Sequence, residues 1–127
     1  MAKYDVRVEV QPEYLPDQSA PEQELYTFAY TITITNTGDV PAQLISRHWY
    51  ITDGEHRVQE VKGLGVIGQQ PVLKPGESFE YTSGVPLATP SGFMTGTYGM
   101  ASVDGEAFEI AIPTFSLDSP SSQRTLN

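Results

Sequence analysis

The sequence predicts an all-β fold, an immunoglobulin- or fibronectin type III-like β-sandwich of about seven strands. Three observations carry this expectation. Apolar and polar side chains alternate with a period of two in segment after segment, no stretch sustains a 3.6-residue period, and Gly, Pro, Asn and Asp break the alternation at short intervals. Sheets built from such strands bury one face each, so two must pack together. The length of 127 residues suits one domain, and a chain of this size buries roughly two-thirds of its unfolded surface without needing staples.

Residues 4–10, Tyr-Asp-Val-Arg-Val-Glu-Val, alternate cleanly and form the first strand. A connection rich in acids and interrupted by Pro12, Pro16 and Pro21 follows, too broken for regular structure. The strongest strand covers residues 26–35, with Tyr26, Phe28, Tyr30, Ile32 and Ile34 on one face and Thr27, Ala29, Thr31, Thr33 and Thr35 on the other. Asn36-Thr-Gly-Asp39 turns the chain into a third strand at 43–52, where Trp49 is placed for burial between sheets.

Asp53-Gly54 reads as a two-residue type I′ turn into a fourth strand at 55–62. That turn pairs 52 with 55, 49 with 58 and 47 with 60, which sets Arg47, Trp49 and Ile51 inward and His48, Tyr50 and Arg57 outward. Arg47 would then face Glu60 across the strands, a carboxylate partner that offsets its burial. Short strands at 78–83, 94–103 and 106–112 complete the set, the last two joined across Asp104-Gly105. Residues 1–116 are expected to form the single domain and 117–127 a flexible tail.

Composition narrows the function. With no cysteine there is no disulfide, no thiolate nucleophile and no cysteine zinc site, which suits a reducing cytoplasm. No apolar run marks a membrane span. The net charge of −9 disfavours nucleic acid as a general partner. The charge is uneven, however. Residues 1–24 carry six acids against Lys3 and Arg7, whereas 47–74 sets Arg47, Arg57, Lys62 and Lys74, together with His48 and His56, against Asp53, Glu55 and Glu60, so that the bases either offset these local acids or leave a basic surface. An anion would be drawn to that second segment.

The same segment holds Gly63-Leu-Gly65-Val-Ile-Gly68, a G-x-G-x-x-G string after a strand. In dinucleotide-binding folds such glycines open a helix onto a pyrophosphate. Pro71 and Pro75 deny a helix here, which excludes a Rossmann site. Two readings stay open. The loop amides, flanked by Lys62 and Lys74, could cradle phosphate as a nest. Alternatively, the glycines supply unusual backbone angles and close approach between strands.

Catalytic patterns are missing: there is no G-x-S-x-G elbow and no H-E-x-x-H. Ser46 and His48 share a strand face, but at that spacing they stand roughly 6–7 Å apart, too far for a nucleophile and its base. Asp53, Glu55 and His56 are weak candidates for a divalent ion, although acids also favour turns for their own sake. No cofactor is implied.

The segments beginning at Ser46-Arg-His-Trp49-Tyr-Ile-Thr-Asp53, running through Val61-Lys-Gly63-Leu-Gly65-Val-Ile-Gly68-Gln-Gln-Pro71-Val-Leu-Lys-Pro75-Gly76-Glu77, and closing with Gly92-Phe-Met94-Thr-Gly96-Thr-Tyr98 resemble the ApaG family. That resemblance implies a cytoplasmic, fibronectin type III-like domain without an established activity, associated with cobalt tolerance and magnesium efflux. Similar domains in eukaryotic proteins serve protein contacts. The expectation is therefore a non-enzymatic binding domain, monomeric or weakly dimeric, with a protein partner. Arg47, His48, Lys62, Gly63, Gly65, Gly68 and Lys74 are its candidate ligand-binding residues, and a phosphate- or nucleotide-binding protein using the 63–68 loop is the alternative.

Overall fold

The structure is a computed structural model and describes residues 3–120. Eight strands run in chain order: β1 (Val6–Tyr14), β2 (Tyr26–Asn36), β3 (Ala42–Asp53), β4 (Val58–Leu64), β5 (Val72–Leu73), β6 (Ser78–Leu87), β7 (Ser91–Ser102) and β8 (Ala107–Asp118). They form two antiparallel sheets, β1-β2-β6 and β4-β3-β7-β8, with the short β5 pairing the start of β3. The expected all-β sandwich is the observed fold. The connection at 15–25 folds into two single turns of 3-10 helix, each opened by a proline. Pro12 lies within β1, which is tolerable because β1 is an edge strand and no ladder bond is lost.

Alternation places the core. All odd-one-out positions of β2 from Tyr26 to Ile34 are buried, as the pattern predicts. They meet Trp49, Met94, Tyr98 and Ile112 from the larger sheet. Trp49 sits edge-on to Tyr30 at 5.5 Å and to Phe115 at 6.0 Å between ring centres, favourable aromatic geometry. Buried Asn36 ties the β2–β3 corner together, accepting from Gly38 N–H and donating to the Val40 and Leu73 carbonyls.

Three expectations need correction. Strand β8 runs on through Asp118 with Leu117 fully buried, so the tail expected from 117 begins inside a strand. Its remainder, 121–127, lies outside the described residues. The Asp53-Gly54 turn is also longer than two residues: Asp53 N–H donates to the Arg57 carbonyl, and His56, not Gly54, adopts the left-handed conformation at φ 65°. Asp53 organises this loop, its carboxylate accepting from Glu55 N–H, Arg57 N–H and Arg57 Nε.

The longer turn also resets the pairing of β3 with β4. Trp49 pairs with Val61, Tyr50 with Glu60 and Arg47 with Gly63, a slip of three residues from the expected register. Because side chains alternate, an odd slip exchanges the faces of β4. Val58, expected beside Trp49, is turned to solvent and 61% exposed. The faces of β3 are as expected, with Trp49 and Ile51 buried and Tyr50 exposed.

Candidate site on the outer face of the larger sheet

Outward-facing side chains of β3, β7 and β8 are small along one diagonal. Ser46 pairs with Gly99 and Ala101 with Ala107, and the one long side chain among them, Glu109, stands opposite Gly99. A bulge between Leu44 and Ser46 shifts β3 at the same point. The missing bulk leaves two adjoining depressions of about 430 and 390 Å³ that share Ser46, Gly99 and Glu109. Together they form one open trough. Its polar end is bounded by His48, Lys62 and Thr97, its apolar end by Ile45 and Phe108.

The charged rim is pre-paired. His48 Nε2 contacts Glu60 Oε2 at 2.5 Å, and the imidazole lies 4.7 Å from the Tyr50 ring centre. Lys62 Nζ approaches the same carboxylate at 3.6 Å. The hydrogen bond from His48, and then the Lys62 charge, hold the Glu60 carboxyl below the usual carboxylate range.

Arg47 serves a different purpose from the one its charge suggested. Its side chain runs beneath β4 into the space that Gly63 leaves, and Nη1 donates to the carbonyls of Leu64 at 3.1 Å and Gly65 at 2.9 Å. The expected Glu60 partner is instead paired with Tyr50 along the ladder and bonded to His48. The Arg47 charge also acts on three hydroxyls packed between the sheets, those of Tyr30, Tyr81 and Tyr98. Burial raises all three, Tyr81 to about 12, and the Tyr81 and Tyr98 hydroxyls share a bond of 2.5 Å.

The three glycines of the G-x-G-x-x-G string each have an architectural duty. Gly63 makes room for the Arg47 guanidinium. Gly65 is left-handed at φ 65°, and a Cβ there would meet the Gln69 carbonyl at 2.4 Å. Gly68, with Ile67, supplies the two positive φ angles of a tight turn closed by reciprocal bonds between Val66 and Gln69. Buried Val66 pins this turn to the core. Of the amides in the string, those of Gly65 and Val66 are already committed to carbonyls.

The candidate residues are thus divided rather than assembled. Arg47, His48, Lys62 and Gly63 border the trough; Gly65, Gly68 and Lys74 do not line it. Lys74 opens the turn before β6, its N–H donating to Glu77 Oε1. Among the described residues no group of three or more His, Asp or Glu stands in an arrangement to hold a metal, and the Asp53 carboxylate is spent on its own loop. Thr97, Gly99 and Glu109 carried no sequence signal, since only the pairing of β3, β7 and β8 brings them together.

Residues 16–102 match the model of the ApaG domain family. The chain belongs to the ApaG family. A protein ApaG from Afipia carboxidovorans is 60% identical over 122 residues, covering 96% of this chain and 94% of that protein. Protein ApaG of Bordetella pertussis is 61% identical, covering 98% of this chain and 92% of its own length. Neither name states an activity. A solved Bordetella pertussis structure described as an ApaA protein superposes with a TM-score of 0.92 at 61% identity, over 94% of this chain and 97% of that one. A protein from Archaeoglobus fulgidus shares the fold at 9% identity and a TM-score of 0.52. ApaG proteins are therefore represented by this sandwich, and among the described residues no helix is long and apolar enough to cross a membrane.

Proposed function

We propose that this ApaG-family chain is a non-enzymatic binding module of the cytoplasm that receives a segment of a partner protein in the trough on its larger sheet. The trough itself is the observation that carries the reading: an open depression with one apolar and one charged end, set on paired strands rather than on loops. Such a surface offers an apolar anchor and polar registration to an extended peptide. The family's association with cobalt tolerance and magnesium efflux would then run through that partner.

The test fills the trough. Thr97→Arg places a long side chain at its polar end, while Glu80→Arg, which adds the same side chain to the opposite sheet and a larger change of charge, serves as the control. A defined partner that wild type and Glu80→Arg both retain, and Thr97→Arg releases, supports the trough; retention by all three overturns it. The phosphate-binding alternative is checked by amide NMR titration with pyrophosphate, where saturable shifts confined to 63–68 would favour the glycine loop over the trough. Three amides of that string are already committed, those of Gly63 in the β3 ladder and of Gly65 and Val66, which is why the trough is preferred.

A further inference from the structure

We infer that the free edge of β4 pairs with the β4 edge of a second copy of this chain, in one antiparallel, two-fold register. The parity of the ladder settles which groups are free. Asp53 N–H donates to Arg57 O and Gly65 N–H to Ile45 O, one at each end of the β3–β4 pairing. Bonded and non-bonded pairs alternate in an antiparallel ladder, so residues 57, 59, 61, 63 and 65 turn their backbone groups to β3. Val58, Glu60, Lys62 and Leu64 turn theirs away from the sheet.

This edge is also unusually apolar. Of the eight exposed large hydrophobics among the described residues, Val58, Leu64, Ile67 and Val72 lie on β4, on β5 or in the turn between them. Val58 is 61% exposed and Leu64 74%. Exposed edges with such residues are templates for strand addition.

The occupant follows from the sequence of β4, Val58-Gln-Glu60-Val-Lys62-Gly-Leu64. A two-fold axis perpendicular to the sheet, midway between Val61 and its copy in the partner, sets Glu60 opposite the partner's Lys62 and Val58 opposite the partner's Leu64. All four are residues whose backbone groups point outward, as bonded pairs require. Opposite charges and paired aliphatics on one face are favourable cross-strand neighbours, and the strand carries both in mirror order about its own centre. Shifting the register by two would oppose Glu60 to the partner's Glu60 or Lys62 to the partner's Lys62. Arg47, already on the Leu64 carbonyl, borders the edge at one end and leaves the Glu60–Lys62 section as the centre of the new ladder.

Sedimentation velocity over a concentration series at physiological ionic strength tests this. Wild type is expected to pass from monomer to dimer, and Lys62→Glu to raise the dimer dissociation constant about tenfold or more, since each reversed pair occurs twice. The double reversal Glu60→Lys/Lys62→Glu should restore association. Lys62→Pro, which deletes an outward N–H and spares the β3 ladder, should abolish it. A wild type that stays monomeric up to about 1 mM, a dimer indifferent to Lys62→Glu and Lys62→Pro, or a double reversal that fails to restore the dimer while keeping its native amide spectrum would overturn the inference.

Discussion

Substituting Gly63 by alanine separates a structural duty from a ligand-binding one. A Cβ at this position would stand 2.7 Å from Arg47 Nη1 and 2.8 Å from its Cζ. The guanidinium has to swing away, releasing the Leu64 and Gly65 carbonyls. Two hydrogen bonds from a charged donor would be worth about 3–6 kcal/mol if independent and buried. These share one nitrogen on a partly buried side chain, so about 2 kcal/mol in total is the expected cost. For a domain of this size that is a fall of about 8 °C in melting temperature. The decisive assay is a double-mutant cycle. In an Arg47→Ala background nothing remains for the new methyl to strike, and Gly63→Ala should cost about 0 kcal/mol. Equal costs in both backgrounds would refute the account and return Gly63 to the list of residues reserved for a ligand.

Three further outcomes are expected. Tyr81→Phe leaves the Tyr98 hydroxyl buried without its 2.5 Å partner and should cost about 1–3 kcal/mol, whereas the Tyr81→Phe/Tyr98→Phe pair should be closer to neutral; urea denaturation measures both. Burial raises Tyr81 to about 12, so the unfolded chain releases this proton near its ordinary value of 10.0 while the folded chain keeps it. Stability is therefore full below that value and falls as pH rises from 10 towards 12, with tyrosinate absorbance appearing together with unfolding. His56→Gly should stabilise the protein by about 0.5–1 kcal/mol, because a left-handed residue costs a side chain roughly 1–2 kcal/mol and glycine returns part of that in chain entropy; a lower melting temperature would contradict it.

The two sheets were legible because burial imposes its own period. The Thr and Ile/Tyr alternation of β2 needs no tertiary information to be read, and Trp49 falls on the buried face whichever neighbour it has. The β3–β4 register was not legible. Asp53-Gly54 and Asp104-Gly105 look alike as dipeptides, yet the glycine sits second in one loop and fourth in the other, counted from Asp53 and Ser102. Gly105 takes a left-handed φ of 91°; at the matching place in the first loop His56 does so, held by the bonds that Asp53 makes around it. The trough was hidden for another reason. Gly99, Thr97 and Glu109 are unremarkable in sequence and become a site only through strand pairing.

The loop between β3 and β4 also limits how chains of this fold can vary in length. One residue more or fewer between Asp53 and Val58 would exchange the two faces of β4, exposing Val61 and burying Glu60 and Lys62. Two residues would keep the faces but slide Gly63 away from Arg47, putting a side chain where the guanidinium now lies. Parity forbids the odd changes and Arg47 penalises the even ones. The loop is therefore free to change its residues and is held to a fixed length, although it lies at the surface, where insertions are ordinarily best tolerated.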